Sequence, residues 1–266
     1  MSELYSRRLV AYLDILGFSQ LIEKSAASPH SQKQIQVFLE NYLQNNVLKL
    51  MNSIDSEHET CITLLSDSII ISMNPFSLDG EIPFCFELMT RCLIFQSLIC
   101  INLGLFTRGA LTIGEIYHNS NVVFGPALIE AYGLEKSAGF PRIILSDSFL
   151  QLYESVLRTE SPKWNKPNHF PKKDFDGKYF LDFVELAAEF RNSPNVDQLG
   201  IIRKSIVSLC EEARNDRRLI EKAVWCIEYY NDFVNCHPDY NLKLLENITL
   251  TTPKKPFEAS EGVLIT

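Results

Sequence analysis

Residues 61–72 read CITLLSDSIIIS, two short apolar runs that are separated by Ser66 and Asp67. Runs of this length, rich in isoleucine and leucine and interrupted by two small polar residues, predict a pair of antiparallel strands joined by a tight turn. The turn places the carboxylate of Asp67 at the tip of the hairpin. From this pattern alone, Asp67 is either a plain turn residue or part of a site on the adjoining sheet.

A second carboxylate, Asp14, lies inside the apolar stretch AYLDILGFS at residues 11–19. We predict a buried strand over residues 9–15, which ends before Gly17. An unpaired carboxylate is expensive to bury in such a strand. Two interpretations of Asp14 are therefore open: it caps the next helix or accepts bonds from backbone amides, or it shares a cation with a second carboxylate.

The other patterns up to residue 147 alternate between helix and strand. Helices are predicted over residues 32–51, over 84–103 as a deeply buried helix, and after Gly125-Pro126. Strands are predicted over residues 108–117, 121–125 and 141–147. The order β-α-α-β-β-α-β-β-α-β predicts the α+β class, with a mainly antiparallel sheet, helices on one face and the ferredoxin-like split βαβ arrangement.

The last part of the chain has weaker patterns. Residues 159–177, rich in proline and without periodicity, are predicted to be a loop or insertion. The stretch KYFLDFVEL at 178–186 is predicted to return as an edge strand, and residues 197–213 and 216–233 are predicted to form amphipathic helices. We therefore predict a domain over residues 1–186 and a C-terminal helical extension over residues 187–266.

Composition and charge limit the classes of partner. The chain has 266 residues and a formal net charge of −8, so neither nucleic acid nor an anionic membrane surface is expected to bind it. The polar start MSELYSRR is unlike a signal peptide, and the longest uncharged stretch, residues 92–107, is too short and too polar for a membrane span. Seven cysteines without a CxxC pair are typical of a reduced cytoplasmic protein.

The two carboxylates are expected to meet in space. In a split βαβ sheet the first strand is central and the hairpin packs beside it, so Asp14 and Asp67 can converge. Two carboxylates a few ångströms apart repel each other unless a cation lies between them or one is protonated. Oxygen ligands favour Mg²⁺ or Mn²⁺, and phosphates can complete the coordination.

Several blocks of the chain together resemble the catalytic domain of the class III nucleotide cyclases. In order, these blocks are AYLDILGFS at 11–19, LLSDSIIIS at 64–72, RGALTIGEIY at 108–117 and FGPALIEAYGLEKSA at 124–138. The last block, continued by GFPRIILSD at 139–147, is most similar to the bacterial pyrimidine cyclases of the Pycsar antiphage system. The resemblance extends over residues 8–185.

This resemblance implies an activity and a set of ligands. Asp14, Asp67 and the carbonyl of Ile15 would bind two Mn²⁺ or Mg²⁺ ions per site. The enzyme, a phosphorus–oxygen lyase, would convert UTP or CTP to the 3′,5′-cyclic monophosphate and pyrophosphate, as an antiphage signal that is read by a separate effector. Because class III sites usually form between two catalytic domains, a single domain per chain implies a homodimer.

The sequence also departs from the family pattern. Thr63 and Val122 occupy the positions at which purine cyclases carry the lysine and aspartate that read the base. Without that pair, a site built to recognise a purine edge loses much of its discrimination. Ile129 and Gly133 occupy the positions of the family's asparagine and transition-state arginine on the helix after Gly125.

Other residues are predicted to supply the missing groups. Phe18 and Ile129 belong to the expected substrate-binding set, and Lys178 is expected to bind the terminal phosphates. Arg108, or Arg142 as a second choice, is the expected catalytic arginine, although Arg108 is equally well explained by pairing with a carboxylate at the start of a strand, and Arg142 by a position at an interface or sheet edge.

Two other residues and two other functions belong to this set of expectations. Glu135 is expected to be a charge on the helix surface, and Tyr132 to be a packing residue. The alternative functions are a catalytically inactive, cyclase-like module for dimerisation or nucleotide sensing, and a cyclase that acts on ATP or GTP.

Overall fold

The computed structural model of the chain describes residues 4–40, 59–78, 80, 83–159, 171–189, 197–213 and 216–246. The chain divides into two compact units. The first unit comprises residues 1–138 with 142–182, and the second comprises residues 139–141 with 183–266.

The first unit is built on one sheet. Its strands are β1 (Ser6–Ile15), β2 (Cys61–Leu65), β3 (Ser68–Met73), β4 (Thr107–His118), β5 (Val123–Phe124), β6 (Ile143–Leu145), β7 (Lys172–Lys173) and β8 (Tyr179–Phe180). The strand order is β2-β3-β1-β4-β6-β8-β7, and β5 pairs separately with β4. All neighbouring strands are antiparallel except β4 and β6, which are parallel.

The helices alternate with these strands. In the first unit they are α1 (Phe18–Ser25), α2 (Pro29–Val37), α3 (Cys85–Leu103), α4 (Pro126–Ser137) and α5 (Asp147–Arg158). In the second unit they are α6 (Phe183–Glu189), α7 (Gln198–Ala213) and α8 (Arg217–Cys236). The α+β class and the mainly antiparallel sheet are therefore confirmed. The order β2-β3-β1-β4 is that of a split βαβ arrangement, with β1 at its centre.

The alternation of side chains along β1 explains why this strand is central. Leu9, Ala11 and Leu13 are fully buried, and Ile15 is nearly so. Side chains at even positions point to the opposite face, because successive residues of a strand alternate between faces. On that face Val10 packs against the small residues of α4, Ala127 and Ala131 among them. Helix α4 therefore covers the part of the sheet that carries Asp14.

Helix α3 is the long apolar helix of the first unit. Its observed bounds, Cys85–Leu103, confirm the helix predicted over residues 84–103, and eleven of its residues are buried. Among the described residues it is also the one helix long and apolar enough to cross a membrane, and more than half of it is buried inside the protein. Such burial is typical of the core helix of a globular domain.

The structure corrects the prediction for residues 178–186. Strand β8 covers only Tyr179–Phe180 and lies between β6 and β7, so it is not an edge strand. Residues Phe183–Glu189 are helical, because Phe183, Val184, Leu186 and Ala187 are all buried at a spacing that one face of a strand cannot provide. Helix α2 begins at Pro29, where Ser28 caps it, and the end of the helix predicted over 32–51 lies outside the described residues.

The second unit contains the two amphipathic helices that the sequence predicts, here α7 and α8. Helix α8 begins after Asp216, whose side chain accepts hydrogen bonds from the backbone amides of Arg218 and Leu219. Its buried face includes Trp225, which stacks on Tyr229 with ring centroids 5.0 Å apart. Such aromatic pairs contribute about 0.5–1.5 kcal/mol beyond their area burial.

Candidate active site

Asp14 lies at the end of β1, between two polar neighbours on the flanking strands. It is opposite Ser68 on β3 and opposite Arg108 on β4. The Ser68 hydroxyl donates to Asp14 Oδ1 at 3.5 Å, and Arg108 Nη2 lies 3.8 Å from Asp14 Oδ2. The Asp14 side chain keeps 21% of its surface exposed. Asp14 is therefore partly buried but accessible to a ligand.

Asp67 lies in the turn between β2 and β3, beside the end of β1. Ser66 adopts the left-handed conformation, with φ of 58°, that such tight turns require. The backbone N–H of Ile15 donates to the carbonyl of Asp67 at 3.0 Å, which ties the turn to the end of β1. The structure thus brings Asp14, Ile15 and Asp67 to the same end of the sheet.

A buried glutamate completes the charge arrangement. Glu135 on α4 accepts hydrogen bonds from Arg108, so the guanidinium bridges Glu135 and Asp14. The prediction that Glu135 is a surface charge is wrong, because its side chain is only 3% exposed. Glu135 continues the four-residue spacing of Ala127 and Ala131, which directs it to the sheet. The sequence already contains this spacing, which predicts a buried position, but a charged residue is ordinarily expected on the surface.

This arrangement destabilises the ionised form of the Asp14 carboxyl group. Burial, followed by the negative charges of Glu135 and Asp67, raises the pKa of Asp14 to about 6, while the positive charge of Arg108 opposes the shift. Arg108 pairs with Asp14 and Glu135, and its positive charge does not offset the combined effect of burial and the two acidic neighbours of Asp14. A cation that binds at Asp14 and Asp67 would relieve the repulsion.

The donor set fits a hard divalent cation. Carboxylate oxygens and backbone carbonyls are the ligands that Mg²⁺ and Mn²⁺ prefer. Within the residues that the structure describes there is no group of three or more His, Cys, Asp or Glu side chains with metal-binding geometry. The remaining ligands would have to be a backbone carbonyl such as that of Ile15, water, or oxygens of the substrate.

Two tyrosines and a lysine form a series of contacts that starts at Ser68, the residue that also donates to Asp14, and sequence reasoning gave none of them a role in a site. The Tyr12 hydroxyl donates to Ser68 Oγ at 3.0 Å, and the Tyr12 ring meets Tyr132 edge to face with centroids 5.4 Å apart. Lys136 Nζ lies 4.1 Å from the centroid of the Tyr132 ring. Tyr132 packs against Tyr12, as predicted for a packing residue, but its side chain remains 43% exposed.

The predicted base-reading residues lie further along the sheet. Thr63 is half-buried on β2, and its hydroxyl contacts His118 Nε2 at 2.9 Å. His118 pairs with Val123 across the β4–β5 ladder, so Val122 lies one residue from that pair and is exposed. No pattern in the sequence assigns His118 a role. The structure places it at the end of β4, in contact with Thr63 on β2 and paired with Val123 at the start of β5.

The remaining predicted residues differ widely in exposure. Ile129 is 74% exposed, Gly133 is also exposed, and Phe18 is buried at the start of α1. Lys178 Nζ donates to the carbonyl of Ser137 at 2.5 Å and lies 3.5 Å from Asp176 Oδ2. A phosphate that binds Lys178 would therefore have to compete with the C-terminal end of α4.

Arg142 is not at an interface or a sheet edge, so that expectation is wrong. It is fully buried and pairs with Asp174 and Asp176. Its Nε donates to the carbonyl of Ala138 at 3.1 Å, just past the end of α4. Arg142 therefore has a structural role, whereas Arg108 is the arginine that contacts Asp14.

Replacing Asp14 with asparagine is expected to stabilise the metal-free protein at pH 8. The folded-state pKa of about 6 lies above the ordinary value of 3.8, so the folded state favours the protonated carboxyl. The free energy of unfolding of the wild type should therefore fall as the pH rises from about 4 to 6. After discounting for solvent exposure, we expect Asp14→Asn to gain about 1 kcal/mol at pH 8 and little at pH 4.

Urea unfolding of both proteins in EDTA, at pH 4 and pH 8, measures this difference. A variant that is less stable than the wild type at pH 8 would contradict the electrostatic account. So would a stability difference that is the same at both pH values.

Comparison with known proteins gives structural neighbours but no family assignment. No protein-family model matches the chain, and no curated protein matches it. Similar solved structures include the monomeric guanylyl cyclase domain of the RhoGC fusion protein from the aquatic fungus Blastocladiella emersonii, at 12% identity and a TM-score of 0.44, covering 66% of this chain and 95% of that chain.

Two further neighbours come from Pseudomonas aeruginosa. The adenylyl cyclase CyaB has 13% identity and a TM-score of 0.40, and the match covers 66% of this chain and 93% of that chain. A class III adenylyl cyclase-like ATP-binding protein has 9% identity and a TM-score of 0.40, covering 98% of this chain and 79% of that chain. Identities of 9–13% with TM-scores of 0.40–0.44 do not show the activity of this chain.

Proposed function

We propose that this chain is a class III-type nucleotidyl cyclase that converts a pyrimidine nucleoside triphosphate, UTP or CTP, to the 3′,5′-cyclic monophosphate and pyrophosphate. The observation that carries the proposal is the position of Asp14 and Asp67. Asp14 is in the last residues of the central strand β1 and Asp67 is in the turn beside that end, and the pKa of Asp14 is raised by burial and by its acidic neighbours. That environment favours a site that is completed by divalent cations.

The chemistry divides between the cations and the protein. When bound, Mn²⁺ or Mg²⁺ would favour ionisation of the ribose 3′-hydroxyl and neutralise the departing pyrophosphate. The 3′-oxygen forms a bond to the α-phosphorus as the bond to pyrophosphate breaks, and the hydroxyl proton leaves to solvent. Asp14 and Asp67 would hold the cations. Arg108, which contacts Asp14 and Glu135, would stabilise negative charge on the phosphates.

The choice of a pyrimidine rests on what stands near Thr63. No lysine–aspartate pair is available there to read a purine edge, because Thr63 and Val122 occupy those positions. A site with a hydroxyl at Thr63 and an apolar side chain at Val122 suits a base that is smaller than a purine. A cyclase that acts on ATP or GTP with an altered base site is the alternative within the same class.

A second candidate function is favoured by the outer face of α4. Ile129 is 74% exposed and Gly133 offers no side chain, so these two positions supply none of the polar groups that bind a triphosphate. A catalytically inactive dimerisation or nucleotide-sensing module would have such a face. The retained carboxylates Asp14 and Asp67 favour the enzyme instead.

The proposal includes a homodimer and a signalling role. Three apolar side chains are exposed: Val122 directly before β5, Phe124 on β5 and Ile129 on α4. We expect a second copy of the chain to cover them. The cyclic product would act in the cytoplasm on a separate effector as an antiphage signal. Sedimentation measurements on the purified chain test the dimer.

One assay separates the candidate functions. The purified protein is incubated with each of the four nucleoside triphosphates and Mn²⁺, and products are resolved by mass spectrometry. A cyclic pyrimidine nucleotide supports the proposal, whereas a cyclic purine nucleotide would replace it with the purine cyclase. A folded protein that makes no cyclic product from any triphosphate would favour the inactive module.

A further inference from the structure

A chain of hydrogen bonds connects Arg8 to Thr63 by way of the buried His118. Arg8 Nε donates to Ser72 Oγ at 3.0 Å, and Ser72 Oγ lies 2.9 Å from His118 Nδ1. His118 Nε2 lies 2.9 Å from Thr63 Oγ1. These bonds join four strands of the sheet, and His118 has no role in the proposed chemistry at Asp14.

The direction of each bond follows from the donors that are available. An arginine Nε can only donate, so Ser72 Oγ accepts from Arg8. Ser72 is fully buried, so its own hydroxyl hydrogen needs an acceptor, and among the described residues the one in contact is His118 Nδ1. His118 Nδ1 therefore carries no hydrogen.

The second nitrogen of His118 must then carry the hydrogen. Burial, followed by the positive charge of Arg8, lowers the pKa of His118 to about 4. The ring is therefore neutral at physiological pH and has a single N–H, at Nε2. This N–H donates to Thr63 Oγ1. The opposite tautomer would take the Thr63 hydrogen and leave the buried Ser72 hydrogen without an acceptor.

We propose that His118 is a positioning residue that holds the Thr63 hydroxyl as an acceptor of its Nε2–H, which keeps the Thr63 hydrogen available to donate to the nucleobase. The inference rests on the proposed function, because only a nucleotide-binding chain has a base to place there. Thr63 is half-buried at the exposed end of the network, with the exposed side chain of Leu65 two residues further along the same face of β2.

This orientation favours one pyrimidine over the other. Uracil offers carbonyl oxygens at C2 and C4, whereas cytosine has an amino group at C4. A hydroxyl donor that faces the C4 substituent would bind the uracil oxygen, but would oppose the cytosine amino group donor to donor. We therefore infer that UTP is preferred to CTP and that the Thr63–His118 pair is a source of that preference.

Nuclear magnetic resonance tests the tautomer without any turnover. In the full chain with ¹⁵N-labelled histidine, His118→Gln identifies the His118 signals. We expect Nε2 to be the protonated nitrogen and Nδ1 the unprotonated one, unchanged between pH 5.5 and 8. A hydrogen on Nδ1, or protonation of the ring within this pH range, would overturn the inference.

Kinetics test the consequence for the base. Thr63→Val removes the hydroxyl with little change of shape, and we expect it to lower kcat/KM for UTP about tenfold while changing that for CTP much less. His118→Gln, which can still donate to Thr63, should retain more of the preference than His118→Phe. The matched control is Thr60→Val, at a threonine one residue before β2 that instead accepts from Arg91, and it should leave the preference unchanged.

The outcomes separate the inference from the proposed function. If the wild type cyclises UTP but Thr63→Val keeps the same ratio of UTP to CTP activity, the inference fails and the cyclase proposal stands. If the wild type turns over no nucleoside triphosphate, the proposed function fails and the inference fails with it.

Discussion

Replacing Asp67 with asparagine is expected to lower the kcat of cyclisation by about a thousandfold or more, which corresponds to about 4 kcal/mol of lost transition-state stabilisation. Asparagine keeps the shape of the side chain but supplies no negative charge for a cation. The turn should persist, because the backbone carbonyl of Asp67, not its carboxylate, accepts the bond from Ile15 N–H. Asp14→Asn should cause a loss of the same size.

Measurements with two metal ions and a control variant make the result specific to cation binding. Initial rates are measured with Mn²⁺ and with Mg²⁺ at saturating UTP, and circular dichroism checks that each variant is folded. Asp239→Asn changes an exposed carboxylate in the second unit and should retain wild-type activity. If either Asp14→Asn or Asp67→Asn keeps more than about a tenth of the wild-type rate, that residue is not a ligand of the catalytic cations.

Replacing Arg142 with methionine is expected to destabilise the protein by about 2–3 kcal/mol, because it removes the charged hydrogen bonds of a fully buried arginine to two partly exposed carboxylates. Arg142 is fully buried and binds both Asp174 and Asp176. Its hydrogen bond lowers the pKa of Asp176 to about 2. In the wild type this contribution is therefore present above about pH 4 and is lost as the pH falls toward 2.

Chemical denaturation at pH 7 measures the effect of Arg142→Met. The matched control is Arg158→Met, which removes an exposed arginine that pairs with Glu154 one helical turn away. Such surface pairs contribute at most about 1 kcal/mol. If Arg142→Met were no more destabilising than Arg158→Met, the ion pairs of Arg142 would not be stabilising the segment that holds Asp174 and Asp176.

Much of the fold could be predicted from the sequence because its signals are local. The hairpin around Ser66 and Asp67, the strand that carries Asp14 and the apolar helix α3 all follow from the spacing of apolar residues. The prediction of an edge strand over residues 178–186 was wrong for a related reason. A short apolar run fits a strand or a helix equally well, and here packing ends the strand at Phe180.

The site was less predictable because its contacts depend on strand register and on the path of α4. The meeting of Asp14 with Asp67 follows from the split βαβ topology. The pairing of Arg108 with Glu135 requires knowing which face of α4 meets the sheet, and the sequence shows that face only through the small residues at 127 and 131. The hydrogen bond between His118 and Thr63 joins residues 55 positions apart, and no local sequence pattern predicts it.

The account depends most on Asp14 and Asp67 binding divalent cations together. Isothermal titration of Mn²⁺ into the protein, in the presence of 3′-deoxy-UTP, which cannot cyclise, measures this binding directly. We predict that the wild type and Asp239→Asn bind Mn²⁺ alike, and that Asp14→Asn and Asp67→Asn each weaken binding by at least about tenfold. Unchanged Mn²⁺ affinity in either of these two variants would contradict the shared cation site.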